Sequence, residues 1–432
     1  MIPKPPVRFL TGITTSGTPH IGNYVGALRP AVEASRREGT ENFYFLADYH
    51  SLVKCDEPSR VQRSTLEIAA CWLAIGLDPE HVYFYRQSDI PEIPELTWLL
   101  TCVTGKGLLN RSHAYKASVD KNTAAGSDAD ADVTAGLFMY PVLMAADILM
   151  FKAHQIPVGR DQAQHVEMTR DIAQSFNHLY GEHLVLPEAA IDDTVALLPG
   201  LDGRKMSKSY DNVIPLFSTR DYLRKQIAGI VTDSRAPGEA KQVEGSALFQ
   251  IFEAFADPQE TRALRQAYAD GISWRDAKQA LFERIDREIA PMRERYDALV
   301  NNPAELEKVL LAGAEKARAL ARPFLAELRD AVGLRSLSAK GGKGKAKPAK
   351  AARPSFKQYR ESDGKHYFKF VDAEGRLLAQ SVGFDSPQLA GQAIGRLRQQ
   401  DMASVGDLQL ADGVGPAVVA AALASLAALA QG

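Results

Sequence analysis

The chain has 432 residues, with 51 Lys and Arg against 53 Asp and Glu for a formal net charge of -2. That length excludes a single small domain and leaves ample apolar sequence for real cores; the near-cancelled charge gives no whole-chain sign of a nucleic-acid binder, although a local basic patch can sit under the sum. The cysteines Cys55, Cys71 and Cys102 lack C-x-x-C spacing or a secreted-type framework, so they are expected to stay reduced in a cytoplasmic protein.

In chain order, MIPKPPVRFL meets proline before any signal-peptide apolar stretch could form. Three short apolar runs follow, VRFLTGI, NFYFLAD and HVYFYRQ, separated by helical patterns such as GNYVGALRPAVEASRRE and SRVQRSTLEIAACWLAIG. Alternating strand and helix implies an α/β fold with a Rossmann-like parallel sheet, expected over residues 1–215. At the first strand-to-helix junction, GITTSGTPHIGNYVGA gathers small residues, Pro19, His20 and Asn23. Backbone N–H groups and a helix start at that sheet edge suit a phosphate, and an ordinary strand-to-helix turn is the other reading. The stretch is neither a P-loop nor a G-x-G-x-x-G turn.

Further along, SHAYKASVDKNTAAGSDADAD reads as a mobile polar insertion, and AGLFMYPVLMAADILMF as a buried helix carrying Asp147. A carboxylate there is costly unless something donates to it, and two readings stand: a pocket for an indole N–H, or a helix-face aspartate bonded within its own protein. RDQAQHVEMTRDIAQSFNHLY forms an amphipathic pattern. The loop DGRKMSKSY then places Lys205 and Lys208 around Met-Ser, where a mobile loop can fold over a triphosphate and neutralise shifting charge. Residues 216–335 read as a helical domain. Residues 336–354, rich in Lys, Gly, Ala and Pro, read as a basic flexible linker. Residues 355–400 alternate around Asp363-Gly364 and Glu374-Gly375 as a small β-meander plus helix, and 401–432 form an alanine-rich helical tail too short to span a membrane. A weak helix-hairpin-helix likeness in LQLADGVGPAVV stands beside the plainer reading of a glycine-proline turn.

The pair HIGN (His20 to Asn23) and KMSKS (Lys205 to Ser209) resembles the two signatures of the class I aminoacyl-tRNA synthetases. MAADIL, VGRDQAQHVEMTRD and GNYVGALRP look like the bacterial tryptophanyl branch, over roughly Arg8 to Leu334. The resemblance implies that ATP activates L-tryptophan to an aminoacyl-adenylate plus pyrophosphate, followed by transfer to tRNA(Trp), in a homodimer that reads the anticodon with its helical part. It makes His20, Lys205 and Lys208 catalytic. It implies ATP contacts at Thr14, Thr15, Ser16, Gly22, Asn23, Gly159, Arg160, Asp161, Leu198, Met206, Ser207 and Ser209, and a tryptophan pocket of Asp147, Met144, Tyr140, Gln162 and His50, with Asp48 nearby. Mg2+ is expected to travel with ATP, held by phosphates and water, with no protein metal site. Thr14-Thr15 replaces a frequent Gln-Pro and Arg160 a frequent acidic residue, which leaves side-chain contacts there open.

A tyrosyl enzyme is the alternative within the class, disfavoured by the MAAD helix. A non-catalytic tryptophan sensor and a simple nucleotidyltransferase are the alternatives outside it, opposed by the intact His20, Lys205 and Lys208. The segment Phe356 to Arg398 resembles a small bacterial YegP-like domain of uncharacterised role. Two readings of Lys340, Lys343, Lys345, Lys347 and Lys350 stand: contacts to tRNA phosphates together with the appended domain, or a solvated tether.

Overall fold

The computed structural model describes residues 6–15, 19–55, 57–191, 198–334, 337, 353–399 and 408–428. The chain falls into two compact units, Met1–Arg335 and Ser336–Gly432. The linker lysines and the residues around Ser16 and Gly17 lie outside the described residues.

The first unit is built on a five-stranded parallel sheet in the order β3-β2-β1-β4-β5, where β1 is Val7–Ile13, β2 Thr40–Leu46, β3 Tyr83–Arg86, β4 Gln155–Pro157 and β5 Glu188–Ala190. The first three occupy the apolar runs read from sequence. The last two have three residues each, too short to carry a period, and escaped that reading. Along β2, Phe43 and Phe45 join one hydrophobic cluster while Tyr44 and Leu46 join another. Successive side chains point to opposite faces, and both faces are covered, which is why the run reads as continuously apolar.

The helical stretch after residue 216 packs into the same cores: Leu248, Phe282 and Leu310 share a cluster with Ile13 and Phe84. Each such fully buried side chain contributes about 1.5–3 kcal/mol of burial. The helix Pro303–Ala331 lies along β3, the edge of the sheet, and hides it. Gly313 makes that approach possible, since a Cβ there would stand 1.8 Å from the Phe84 carbonyl oxygen. Lys316 Nζ donates to the carbonyls of Pro79, Glu80 and Val82, and Arg86 bridges Asp89 and Glu307.

Two local differences from the sequence reading have clear causes. The helix after His20 passes through a π turn, Tyr24–Leu28, because Pro30 has no N–H to offer and its ring crowds the carbonyl four residues back. The polar stretch after Ser112 begins as the helix His113–Ala124, none of whose residues is buried. Its return is held by Asn122 Nδ2 donating to the carbonyls of Ala129 and Ala131 and by Tyr115 Oη donating to Asp130.

The second unit is an antiparallel sheet in the order β6-β7-β8-β9: β6 Ser355–Arg360, β7 His366–Val371, β8 Leu377–Ser381 and β9 Leu408–Leu410. Gly364 and Gly375 adopt positive φ of 82° and 83° at the expected turns. Helices Pro387–Arg398 and Pro416–Ala428 supply Ile394, Leu397, Val419 and Leu423 to a core with Phe368 and Phe370. Strand β9, hidden in what read as a helical tail, completes the sheet. Among the described residues no helix is long and apolar enough to cross a membrane.

Candidate functional site

Strand order reverses between β1, which leads to β2 and β3 on one side, and β4 on the other. In such sheets ligands bind at the carboxyl ends of the strands beside that reversal. His20 follows the end of β1, His50 that of β2, Gln87 that of β3 and residues 159–162 that of β4, while Asp147 lies on the helix before β4 and the lysine loop comes after β5.

The first group joins the two lysine- and histidine-bearing motifs. His20 caps the helix that starts at Ile21: its Nδ1 accepts the Asn23 N–H at 3.2 Å, and Asn23 Oδ1 accepts the His20 N–H at 3.1 Å. His20 is buried, and that burial, followed by the positive charge of Lys208, lowers its pKa to about 4. The imidazole is therefore neutral near pH 7. With Nδ1 accepting, its proton sits on Nε2, which becomes a donor. Ile21 N–H donates to the Ile214 carbonyl and Leu216 N–H to that of Pro19, so the turn is stitched to the segment that leaves the lysine loop. Gly22 packs beside Met206, which is buried.

Asn212 organises the lysine loop. Its Oδ1 accepts the Ser207 N–H at 2.8 Å, and its Nδ2 donates to Asp202 at 2.7 Å and to the Lys205 carbonyl at 3.1 Å. Gly200 leaves room for it, since a Cβ there would stand 2.4 Å from the amide. Ser207 Oγ accepts from Ser209 N–H, and Met206 N–H donates to the carbonyl of buried Leu198. Lys205 and Lys208 are exposed residues on this frame. Protein packed around the Lys208 ammonium still holds its pKa below the usual lysine range, with Glu67 acting the other way.

The second group surrounds Asp147 in the helix Ala135–Met150, where Tyr140, Met144 and Asp147 are three and four residues apart on one face. Asp147 is fully buried. Its Oδ2 accepts from His50 Nε2 at 2.9 Å, and Gln87 Nε2 donates to Oδ1 at 2.8 Å and Oδ2 at 2.9 Å. Burial pushes the carboxyl above the usual aspartate range, and the His50 and Gln87 donors pull it back. Gln87, itself fully buried, accepts the Tyr49 N–H at 3.1 Å. Tyr140 Oη lies 2.6 Å from His165 Nε2, and its ring stands edge-on to His50. Asp48 is taken up locally by Ser88 and the Tyr49 N–H.

The remaining positions from the sequence reading divide. Gly159, Arg160 and Gln162 are exposed around the short turn after β4, to which Asp161 contributes backbone. Thr14 is exposed, whereas Thr15 is buried with its hydroxyl 2.5 Å from Ser51 Oγ. Ser16 lies outside the described residues. Gln87 and Asn212 were missed; neither belongs to a contiguous signature, and only the spatial partners reveal them.

Comparison with known proteins bears on this arrangement. The model of "tRNA synthetases class I (W and Y)" matches residues 3–289. A tryptophan–tRNA ligase of Xanthomonas axonopodis pv. citri is 66% identical over 406 residues, covering 93% of this chain and 94% of that relative. One of Pseudomonas aeruginosa is 62% identical, covering 90% of this chain and 88% of the relative. These alignments are too long to fit within the first unit, so the relatives share sequence with the second. The crystal structure of Campylobacter jejuni tryptophanyl-tRNA synthetase complexed with ADP and tryptophan is similar at 41% identity and a TM-score of 0.70, covering 76% of this chain and all of that one.

Proposed function

The chain belongs to the class I tRNA synthetases of the tryptophan and tyrosine group, and from that membership we propose how its residues divide the work. The activity is ligation of L-tryptophan to tRNA(Trp) with ATP. A tryptophan carboxylate oxygen attacks the α-phosphorus, and the bond to the β-phosphate oxygen breaks to release pyrophosphate. A hydroxyl of the terminal tRNA ribose then attacks the adenylate carbonyl, and AMP leaves.

The buried Asp147 carboxylate, oriented by Gln87 and His50, carries the substrate reading. Indole N–H is a donor only, and a fixed acceptor among apolar walls such as Met144 selects it. Phenylalanine would leave the carboxylate unpaired. Tyr140 and Gln162 complete the pocket, Gln162 toward the amino group.

On the nucleotide side, His20 Nε2–H, Asn23, Lys205 and Lys208 stabilise the charge that moves onto pyrophosphate, so rate comes from positioning and electrostatics. Gly22, Met206, Ser207 and Ser209 shape the phosphate path. Leu198 faces adenine, and Gly159, Arg160 and Asp161 attend the ribose. Thr14 and Ser16 contribute from the turn, and Thr15, whose hydroxyl is engaged by Ser51, acts through its backbone. Mg2+ arrives on the ATP phosphates. The enzyme works in the cytoplasm as a homodimer in which a second copy covers exposed apolar side chains such as Trp98 and Leu179.

The test is ATP–pyrophosphate exchange with tryptophan, tyrosine and phenylalanine side by side, followed by charging of tRNA(Trp). Exchange with tryptophan alone, abolished by EDTA, is the expected result; equal exchange with tyrosine would overturn the pocket. Light scattering should give twice the 47.1 kDa chain mass.

A further inference from the structure

Charge is unevenly divided along the chain: residues 336–432 carry 13 Lys and Arg against 8 Asp and Glu, while the whole protein is at -2. The first unit is therefore acidic, and the basic excess belongs to the linker, whose Lys340, Lys343, Lys345, Lys347 and Lys350 precede an appended sequence balanced at 8 Lys and Arg against 8 Asp and Glu over residues 353–432. Within the appended sheet the register sorts the side chains. Phe356, Phe370, Ala379 and Leu410 align across the four strands on the face that both helices cover. The next positions along, Lys357, Tyr359, Tyr367, Lys369, Gln380 and Gln409, share the opposite face, where Lys357 and Gln409 are exposed and the other four half-buried.

On that face the Tyr359 and Tyr367 rings are stacked, with centroids 5.7 Å apart, and Lys369 Nζ lies 4.9 Å from the Tyr359 centroid. Lys357 is exposed. Two carboxylates approach the rings from the β6–β7 turn, where Asp363 accepts from Tyr367 Oη at 2.6 Å and Glu361 sits near Tyr359. An open antiparallel sheet that carries aromatic rings flanked by lysines offers a π surface for unpaired bases and cations for the phosphates between them.

We propose that this open sheet face binds an unpaired stretch of the tRNA substrate, with Tyr359 and Tyr367 stacking on bases and Lys357 and Lys369 neutralising phosphates. It rests on the tRNA-ligating activity and adds a contact surface outside the adenylate site. Its effect falls on capture of tRNA, and amino-acid activation does not involve it.

The experiment uses the full chain and measures KM for tRNA(Trp) across a salt series, with tryptophan-dependent pyrophosphate exchange in parallel. Lys357→Glu with Lys369→Glu should raise the tRNA KM about fivefold or more and lower the log–log salt slope by about 1.4, the value for two lost single-strand phosphate contacts. Tyr359→Leu with Tyr367→Leu should raise KM at every salt concentration without changing the slope. Arg396→Glu with Arg398→Glu, on the Pro387–Arg398 helix, serves as the control. Exchange should stay unchanged throughout. An unchanged KM and slope in the lysine pair, an equal rise in the helix pair, or a parallel fall in exchange would each overturn the proposal. A wild-type chain that exchanges pyrophosphate but charges no tRNA would instead sink the ligation reading on which it rests.

Discussion

Asp147 draws its partners from 97 and 60 residues away in the chain, and Gln87 is itself anchored 38 residues away. Asn212 finds every side-chain partner within ten residues. The first network is buried and inherits its geometry from the packing of a strand end, a short helix and a long helix. The second is a local hydrogen-bond frame that presents two lysines to solvent. Selecting a side chain requires fixed, desolvated groups, whereas following charge along a triphosphate requires cations that move with their loop. Damage to one should therefore appear in tryptophan kinetics and damage to the other in ATP kinetics.

The comparison sharpens first on the loop. Lys208→Ala should lower the exchange kcat by about 10²–10³, the range for losing one preorganised charge-stabilising group, with little change in tryptophan KM. Asp147→Asn turns one acceptor into a donor facing the Gln87 and His50 donors. It should reduce kcat/KM for tryptophan by about 10- to 150-fold, equivalent to 1.5–3 kcal/mol, with ATP KM nearly intact. Gln87→Leu should raise tryptophan KM about tenfold by removing a donor from a buried carboxylate, a value inside the range for disrupting such hydrogen bonds. A matching rise in ATP KM for either pocket variant would erase the distinction between the regions.

The smallest effect is a titration. NMR should find His20 neutral until the pH falls toward about 4, and Lys208→Met should move its pKa upward while burial keeps it below 6.5. The sign for stability follows: between 6.5 and about 4 the unfolded chain takes up the proton before the folded one, so stability falls as pH drops through that window.

Legibility in the sequence follows the same division. HIGN and KMSKS are contiguous, so the family resemblance they carry could be read before any fold was known. Asp147 was conspicuous as a charge in an apolar helix and the resemblance set His50 beside it, but Gln87 was invisible because the fold brings it to the carboxylate from 60 residues away. Gly313 resembles any helical glycine until the Phe84 carbonyl is seen against it. Strands β4, β5 and β9, at three residues each, fall below the length at which alternation carries information. The appended sheet's turns were legible from Asp-Gly and Glu-Gly, whereas the closing strand was masked by the alanine-rich sequence after it.

The central claim is that Asp147 reads the indole N–H, and the most direct measurement compares tryptophan with 3-benzothienylalanine, in which sulfur replaces that N–H. Pyrophosphate-exchange kcat/KM for the pair should be determined on the wild-type chain and on Asp147→Asn. The account expects the wild type to favour tryptophan by at least tenfold and the variant to lose most of that preference. Equal discrimination by both proteins would contradict it, because the indole N–H would then be recognised by another group.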